Sequence, residues 1–278
     1  MKKILVLIIF TLISMYYTNI CMEVLKEKDP IMQEIKSNMS KYEESANDAT
    51  IIGNVIVPGH IGRRVNKNKS YSKMKKYGNY NETLTVMEEV KPELSVSNTF
   101  DKYIEKGNSN NKNVSFVFIY DENIDKVIKI LNSKHVPSTI FLDGMYLEND
   151  SLNGLKNNLN IDYELLSYNG EYDENLFKTS LSYLESVTKK SPKYCYSEVE
   201  NSDVLNLCSK LKMHTIKPYI RIDEDLLKEV KSSLSNSIII SIKSSKSNVS
   251  ELSSVIDYVI SKGYDIVSLD NLISENWK

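Results

Sequence analysis

Three histidines, His60, His135 and His214, and three cysteines, Cys21, Cys195 and Cys208, supply all the imidazole and thiol groups in a chain of 278 residues. They are scattered, with no C-x-x-C or H-x-x-x-H pair, so no local metal cluster and no disulfide scaffold is written into the sequence. Any chemistry must come from groups that the fold brings together. Acids and tyrosines fall just beyond short apolar runs: Tyr120 and Asp121, Asp143, Tyr168 and Asn169, Tyr196 and Glu198, with Lys243 after the run at Ile238. Carboxylates so placed, among them Glu171 and Glu200, can serve as bases or metal ligands, and tyrosine rings offer apolar faces. His135 reads as a turn residue, His214 as a core or rim residue, and His60 stands beside a basic stretch.

The elements that must position these groups follow an unusual amino terminus. Met1-Lys2-Lys3 precedes an apolar run from Ile4 to Tyr17, extendable to Met22. Positive charge ahead of such a run reads as a signal segment with its amino end inside. No small-x-small cleavage site follows, so the reading is an uncleaved single-span anchor over residues 1–22, with the body outside the membrane; cleavage would make the protein secreted. In that setting Cys195 and Cys208 read as two buried free thiols, with a disulfide between them as the alternative.

The balance of 35 basic against 37 acidic side chains, 41% hydrophobic and 26% charged residues overall, describes a globular chain and no nucleic-acid partner. Residues 23–112 read as a stalk helix and a small mixed, β-containing domain. Apolar residues at helical spacing run from Pro30 to Ala46, and strands are expected at Ile51 to Pro58 and Thr83 to Met87. Seven cations between Arg63 and Lys76, with no acid between Asp48 and Glu82, form a patch suited to anionic wall polymer or lipid headgroups; the plainer reading is a solvated loop. The polar stretch Lys106 to Asn113 reads as a linker.

From residue 113 to 278 the pattern becomes regular. Strands are expected to begin near Val114, Ser138, Ile161, Lys193, Met213, Ser237 and Tyr264. Helices are expected in the gaps, at Ile124 to Leu131, Leu176 to Val187, Val204 to Leu211 and Val249 to Ile260. Asn248 and Glu251 fit a capping box for the last helix, and Gly263 fits the left-handed position past its end. Strands alternating with helices imply parallel pairing through crossovers, and hence a distorted seven-stranded α/β (β/α) barrel.

This segment resembles the polysaccharide deacetylase family, the NodB-homology domain. The likeness rests on VSFVFIYDEN (114–123), VPSTIFLDGMYLEND (136–150), LKNNLNIDYELLSYNG (155–170), SPKYCYSEVENSDVLNLCSKLKMHTIKP (191–218), NSIIISIK (236–243) and VIDYVISKGYDIVSLDNLISE (255–275). The resemblance implies a metal-dependent removal of acetyl groups from wall or chitin-like sugars, with a carboxylate base, a histidine acid and a divalent cation. The positions that should carry these groups hold others. The paired aspartates of the first motif fall on Ile119 and Tyr120, and the two histidine ligands on Leu166 and Gly170. The orienting arginine falls near Cys195, and the acid histidine and its following aspartate fall on Ile242 and Lys243.

The resemblance therefore implies a degenerate, inactive member that needs no cofactor and holds no metal. Cell-wall glycan is the expected partner, bound through Tyr120, Asp121, Asp143, Tyr168, Asn169, Tyr196, Glu198 and Lys243 in a tyrosine-lined cleft. Two alternatives stand beside it. One is an envelope-assembly scaffold with a filled barrel mouth; the other is a hydrolase with a site rebuilt from Asp121, Asp143, Glu171, Glu198 or Glu200.

Overall fold

The computed structural model describes residues 2–108, 111–148 and 160–276. Part of the expected linker (109–110) and parts of two family-like segments (149–150 and 155–159) lie outside them. In chain order the elements are α1 (Lys2–Lys28), α2 (Pro30–Asn38), β1 (Thr50–Ile52), β2 (Val55–Val57), β3 (Gly62–Val65), α3 (Lys67–Lys75), β4 (Met87–Val90) and β5 (Tyr103–Ile104). There follow β6 (Asn113–Ile119), α4 (Ile124–Ser133), β7 (Ser138–Leu142), α5 (Gly144–Glu148), β8 (Ile161–Leu165), α6 (Glu174–Thr188), β9 (Tyr194–Tyr196) and α7 (Ser202–Lys210). The chain closes with β10 (His214–Ile216), β11 (Ile220–Ile222), α8 (Leu226–Ser233), β12 (Ile238–Ile242), α9 (Lys246–Ser261), β13 (Asp265–Ile266) and α10 (Leu269–Ile273).

The chain divides into two compact units, residues 1–47 with 61–91, and residues 48–60 with 92–278. In the smaller unit Asp29 caps α2 by accepting from Ile31 N at 3.0 Å, with Pro30 in the first turn, where its missing N–H costs nothing. The helix stops at Asn38, short of the expected Ala46. Ile31, Ile35, Val65 and Met74 form a small core between α2, α3 and the antiparallel pair of β3 and β4. The expected strand at Thr83 to Met87 is displaced: residues 82–84 turn in a short 3-10 helix and β4 begins at Met87.

The larger unit takes its first strands from outside the deacetylase-like segment. Gly53, at φ +61°, turns β1 back on β2, so Ile51 to Pro58 is a hairpin and not one strand. Glu275, 8% exposed, accepts from Gly59 N and Val96 N, both at 3.1 Å, and from the Ser95 hydroxyl. One buried carboxylate thus ties both amino-terminal segments to the chain end. Residues 106–108 do not form a linker, because Gly107 N donates to Ser237 O at 2.7 Å and Lys106 bridges Ile238.

The seven strands expected after residue 113 are found within one residue of their predicted starts, and four more, β1, β2, β5 and β11, join them. Among the described residues they do not close into a barrel but form a five-stranded sheet, β1-β2-β5-β10-β9, and a six-stranded sheet, β11-β12-β6-β7-β8, with β13 on β6. No ladder joins β8 to β9; the Glu164 side chain fills that seam, accepting from Lys193 N at 2.8 Å and Tyr194 N at 3.0 Å.

Alternation along the strands separates two cores. Phe116, Phe118, Ile140, Ile240 and Ile242 face the helices, while Val117, Phe141, Tyr196, Ile216 and Ile239 face one another inside. Cys195 faces outward toward α7 and is bonded to Cys208, so the two thiols are not free: they form a disulfide, with Cα atoms 6.3 Å apart. Helix α9 begins earlier than its apolar pattern predicts. Ser245 is the cap, accepting from Asn248 N at 3.2 Å, and Glu251 instead accepts from Leu227 N at 2.8 Å. Gly263 takes the expected left-handed turn at φ +76°.

Candidate functional site

In parallel strands the carboxyl ends share one side of the sheet, and the residues just past β6, β7, β8, β9, β11 and β12 gather there. Two groups of side chains result. The first is built on Asp143, which follows β7. Its Oδ1 accepts from Met145 N at 3.0 Å and Asn169 N at 2.8 Å, and its Oδ2 accepts from the Ser167 hydroxyl at 2.5 Å and Gly170 N at 3.1 Å. Burial alone would raise this carboxyl, but the hydrogen bonds outweigh it and hold it below the ordinary range. Asp143 is therefore a clamp between α5 and the turn after β8, with its lone pairs committed.

That turn is tight. Tyr168 and Glu171 exchange both backbone hydrogen bonds, at 3.0 and 2.9 Å, around Asn169 at φ +53° and Gly170 at φ +73°. Gly144 admits the Tyr168 ring, since a Cβ there would stand 2.7 Å from Tyr168 Cδ2 and 2.6 Å from Ser180 Oγ. Beside the clamp, the Tyr120 and Tyr146 rings lie 4.8 Å apart at 49°. Tyr120 is half-buried against the outer core, and burial raises its hydroxyl pKa; Tyr146 is 43% exposed. Nothing in the linear pattern singled out Tyr146, although an aromatic residue four positions beyond a strand end is the signal that finds it.

The second group lies past β9, β11 and β12. Tyr196 is only 2% exposed, its ring is 5.2 Å from that of Phe141, and its hydroxyl meets Ser241 Oγ at 2.9 Å. It is a core residue and cannot offer a face to a sugar, which corrects its assignment as a binding residue. Glu198 pairs with Arg221, whose Nε also reaches Asp223 at 3.1 Å. Arg221 was missed in the sequence because β11 is too short to show a period. Between the groups, Asp121 accepts from Asn123 N at 2.9 Å; burial raises its carboxyl pKa against the pull of that hydrogen bond and, more weakly, of the Lys243 charge. Strand β6 has ended by then, so Asp121 turns the chain into α4 and does not extend the strand.

The positions at which the resemblance requires catalytic groups are largely packed. Ile119 and Leu166 lie against the inner core, Ile242 is 2% exposed in the outer core, and Gly170 is the left-handed turn residue. None of these side chains can ligate a divalent cation, so the metal of the deacetylase mechanism does not fit here. Among the described residues no three His, Cys, Asp or Glu side chains converge to hold one. Three of the five acids that a rebuilt hydrolytic site would draw on are committed: Asp143 is clamped, Glu198 is paired, and Glu200 is held by Asn54 at 2.9 Å and Lys217 at 3.2 Å.

The fold has counterparts among solved structures. BA3943 from Bacillus anthracis, described as a CE4 family pseudoenzyme, superposes with a TM-score of 0.67 at 20% identity over 90% of this chain and 97% of that one. Bacillus subtilis PdaA, a family 4 carbohydrate esterase, gives 0.53 at 17% identity over 62% of this chain and 85% of that one. The chain has the family 4 carbohydrate esterase fold. A Bc1960 peptidoglycan N-acetylglucosamine deacetylase shares this CE4 fold with a TM-score of 0.54 at 16% identity, covering 63% of this chain and 95% of that one. In sequence, the uncharacterized protein YlxY of Bacillus subtilis (strain 168) is 32% identical over 128 residues, 44% of this chain and 40% of that protein's length. No protein-family model matches the chain. The CE4 fold is that of the polysaccharide deacetylases implied by the sequence resemblance. The pseudoenzyme match extends over 90% of the chain, beyond the 62% shared with PdaA.

Proposed function

We propose that this chain is a catalytically inactive CE4-like protein that is anchored in the membrane by α1, exposes its body outside, and binds cell-wall glycan. One observation carries the reading: a CE4 fold in which the positions for base, metal ligands and acid hold Ile119, Tyr120, Leu166, Gly170 and Ile242. Helix α1 is long and apolar enough to span a bilayer, at mean hydropathy 1.5. The Cys195–Cys208 disulfide supports an oxidising compartment.

Glycan binding falls to the rim at the strand carboxyl ends and not to a cleft between the sheets. Tyr146 and Tyr120 supply ring faces, and Tyr168, Asn169, Asp121 and Lys243 supply polar edges for sugar hydroxyls. The test is sedimentation of the purified chain with insoluble peptidoglycan. Co-sedimentation that falls about tenfold in Tyr146→Ala is expected, a change equivalent to roughly 1.4 kcal/mol. A chain that stays in the supernatant overturns the reading.

A second reading is an envelope-assembly scaffold, and the filled interior of Ile119, Phe141, Leu166 and Tyr196 favours it. The same sedimentation separates the two, because a scaffold that uses a protein partner leaves glycan unbound.

A further inference from the structure

The smaller unit carries a lysine-rich helix, and its position relative to α1 gives that helix a partner. At about 1.5 Å per residue, the 27 residues of α1 span roughly 40 Å, some 10 Å more than a hydrocarbon layer of about 30 Å. With the amino end inside, the last two turns of α1, from Met22 to Lys28, emerge at headgroup depth on the outer side. Here α3 is attached. Lys26 Nζ donates to Asn68 Oδ1 at 2.6 Å and stands 5.3 Å from the centre of the Tyr71 ring. Lys75 reaches the same ring at 5.9 Å, and Asp29, which caps α2, accepts from both Lys75 (2.5 Å) and the Tyr71 hydroxyl (3.0 Å).

These contacts hold α3 beside the end of α1. The buried side of α3 is Ser70 and Met74, while Lys67, Lys69, Lys73 and Lys76 are exposed. Among the described residues no ion pair engages any of those four. Arg64, by contrast, is paired with Glu88. A cavity of about 460 Å³ lies at the same level, lined by Asn19, Met22, Glu23, Leu25, Lys26, Asp29 and Tyr71. Its lining mixes the apolar Met22 and Leu25 with Lys26 and the acids Glu23 and Asp29, so the unpaired positive charge at this level lies on α3 beside it.

We infer that the α1–α3 junction binds anionic phospholipid headgroups, with Lys26, Lys67, Lys69 and Lys73 facing the phosphates. Anionic wall polymer shares the phosphodiester chemistry, but the position at the exit of an apolar helix favours lipid. A lysine at such a surface gains substantially from negative lipid and loses this gain with salt. The inference rests on the reading of α1 as an anchor.

The full chain, reconstituted in nanodiscs of phosphatidylcholine alone or with roughly one-quarter phosphatidylglycerol, tests it by lysine acylation with a water-soluble reagent. Lys67, Lys69 and Lys73 are expected to react about fivefold more slowly in the anionic discs, relative to Lys228 on the larger unit. The difference should vanish at about 1 M salt, where the Debye length is roughly 3 Å. Equal reactivity in both discs overturns the inference, as does equal protection by soluble poly(glycerol phosphate) added to the neutral discs. Alkaline extraction of the cell membrane tests the anchor separately. A chain that resists extraction but labels equally has lost only the lipid site, whereas an extracted chain has lost the anchor.

Discussion

The hydroxyl of Tyr196 and that of Ser241 meet at 2.9 Å between β9 and β12, across the inside of the strand array. Each side chain is 2% exposed, so the pair links two strands of separate sheets through the interior. The pair is a buried cross-brace between the two sheets.

Tyr196→Phe should therefore act on stability and not on glycan. Removing the phenol hydroxyl leaves Ser241 with one partner fewer, at a cost of about 1–2 kcal/mol. Urea denaturation should show this loss, while sedimentation with peptidoglycan stays unchanged. Tyr146→Ala should do the reverse, since its ring is 43% exposed. Equal effects of both substitutions on binding would remove the distinction between brace and rim.

Glu164 makes stability fall as pH rises. Burial, the largest influence, pushes its carboxyl up to about 8 against the pull of Tyr194 N and Lys193 N, with Asp162 and Asp270 adding to the rise. The folded state then keeps a proton that the unfolded chain releases above its ordinary value near 4.5. Stability declines between those limits by at most about 1.4 kcal/mol per pH unit and is flat above. Glu164→Gln retains an acceptor for the seam without the charge, so denaturation midpoints at pH 5.5 and pH 8 should converge in the variant. Parallel behaviour of variant and parent would count against a protonated seam.

Asp143 acts in the opposite sense. Its carboxyl is held below the ordinary 3.8, so its contribution is complete above that value and is lost as pH falls through the lowered one. Asp143→Asn cannot satisfy four donors, and amide exchange at Asn169 and Gly170 should quicken at least tenfold, equivalent to about 1.4 kcal/mol of local opening. Unchanged exchange would show that the turn holds without the clamp.

The disulfide closes a loop between residues 13 positions apart. A loop of this size contributes about 3 kcal/mol in the chain-entropy view. Cys195→Ala with Cys208→Ala should lower stability by roughly that amount, and reductant should reproduce the loss in the parent chain. A parent insensitive to reductant would place no disulfide there.

Period and punctuation are local properties, and they determined much of this protein from sequence. The strands at Asn113, Ser138, Ile161 and Ile238 start within a residue of where apolar runs place them, because a run buried on both faces is unmistakable. The helix through Leu252, Val255, Ile256 and Val259 was equally plain, and so was the loss of ligating side chains at Leu166 and Gly170, which is a matter of residue type. Short elements were not legible: Tyr103–Ile104 and Ile220–Ile222 are too brief to carry a period.

What tertiary structure alone decided is which distant groups meet. Cys195 lies beside Thr215 in register, and the outward direction this sets brings it to Cys208 on α7. The same alternation turns Tyr196 inward, away from the rim where its sequence position had placed it. Asp143 spends its oxygens on a turn 26 residues away, and Glu164 seals a seam against backbone 30 residues on, in place of a strand ladder. Each of these is a pairing between segments far apart in the chain, fixed by packing and register. A sequence states the type of every side chain, but only the fold decides whether an acid is a base, a clamp or a seal.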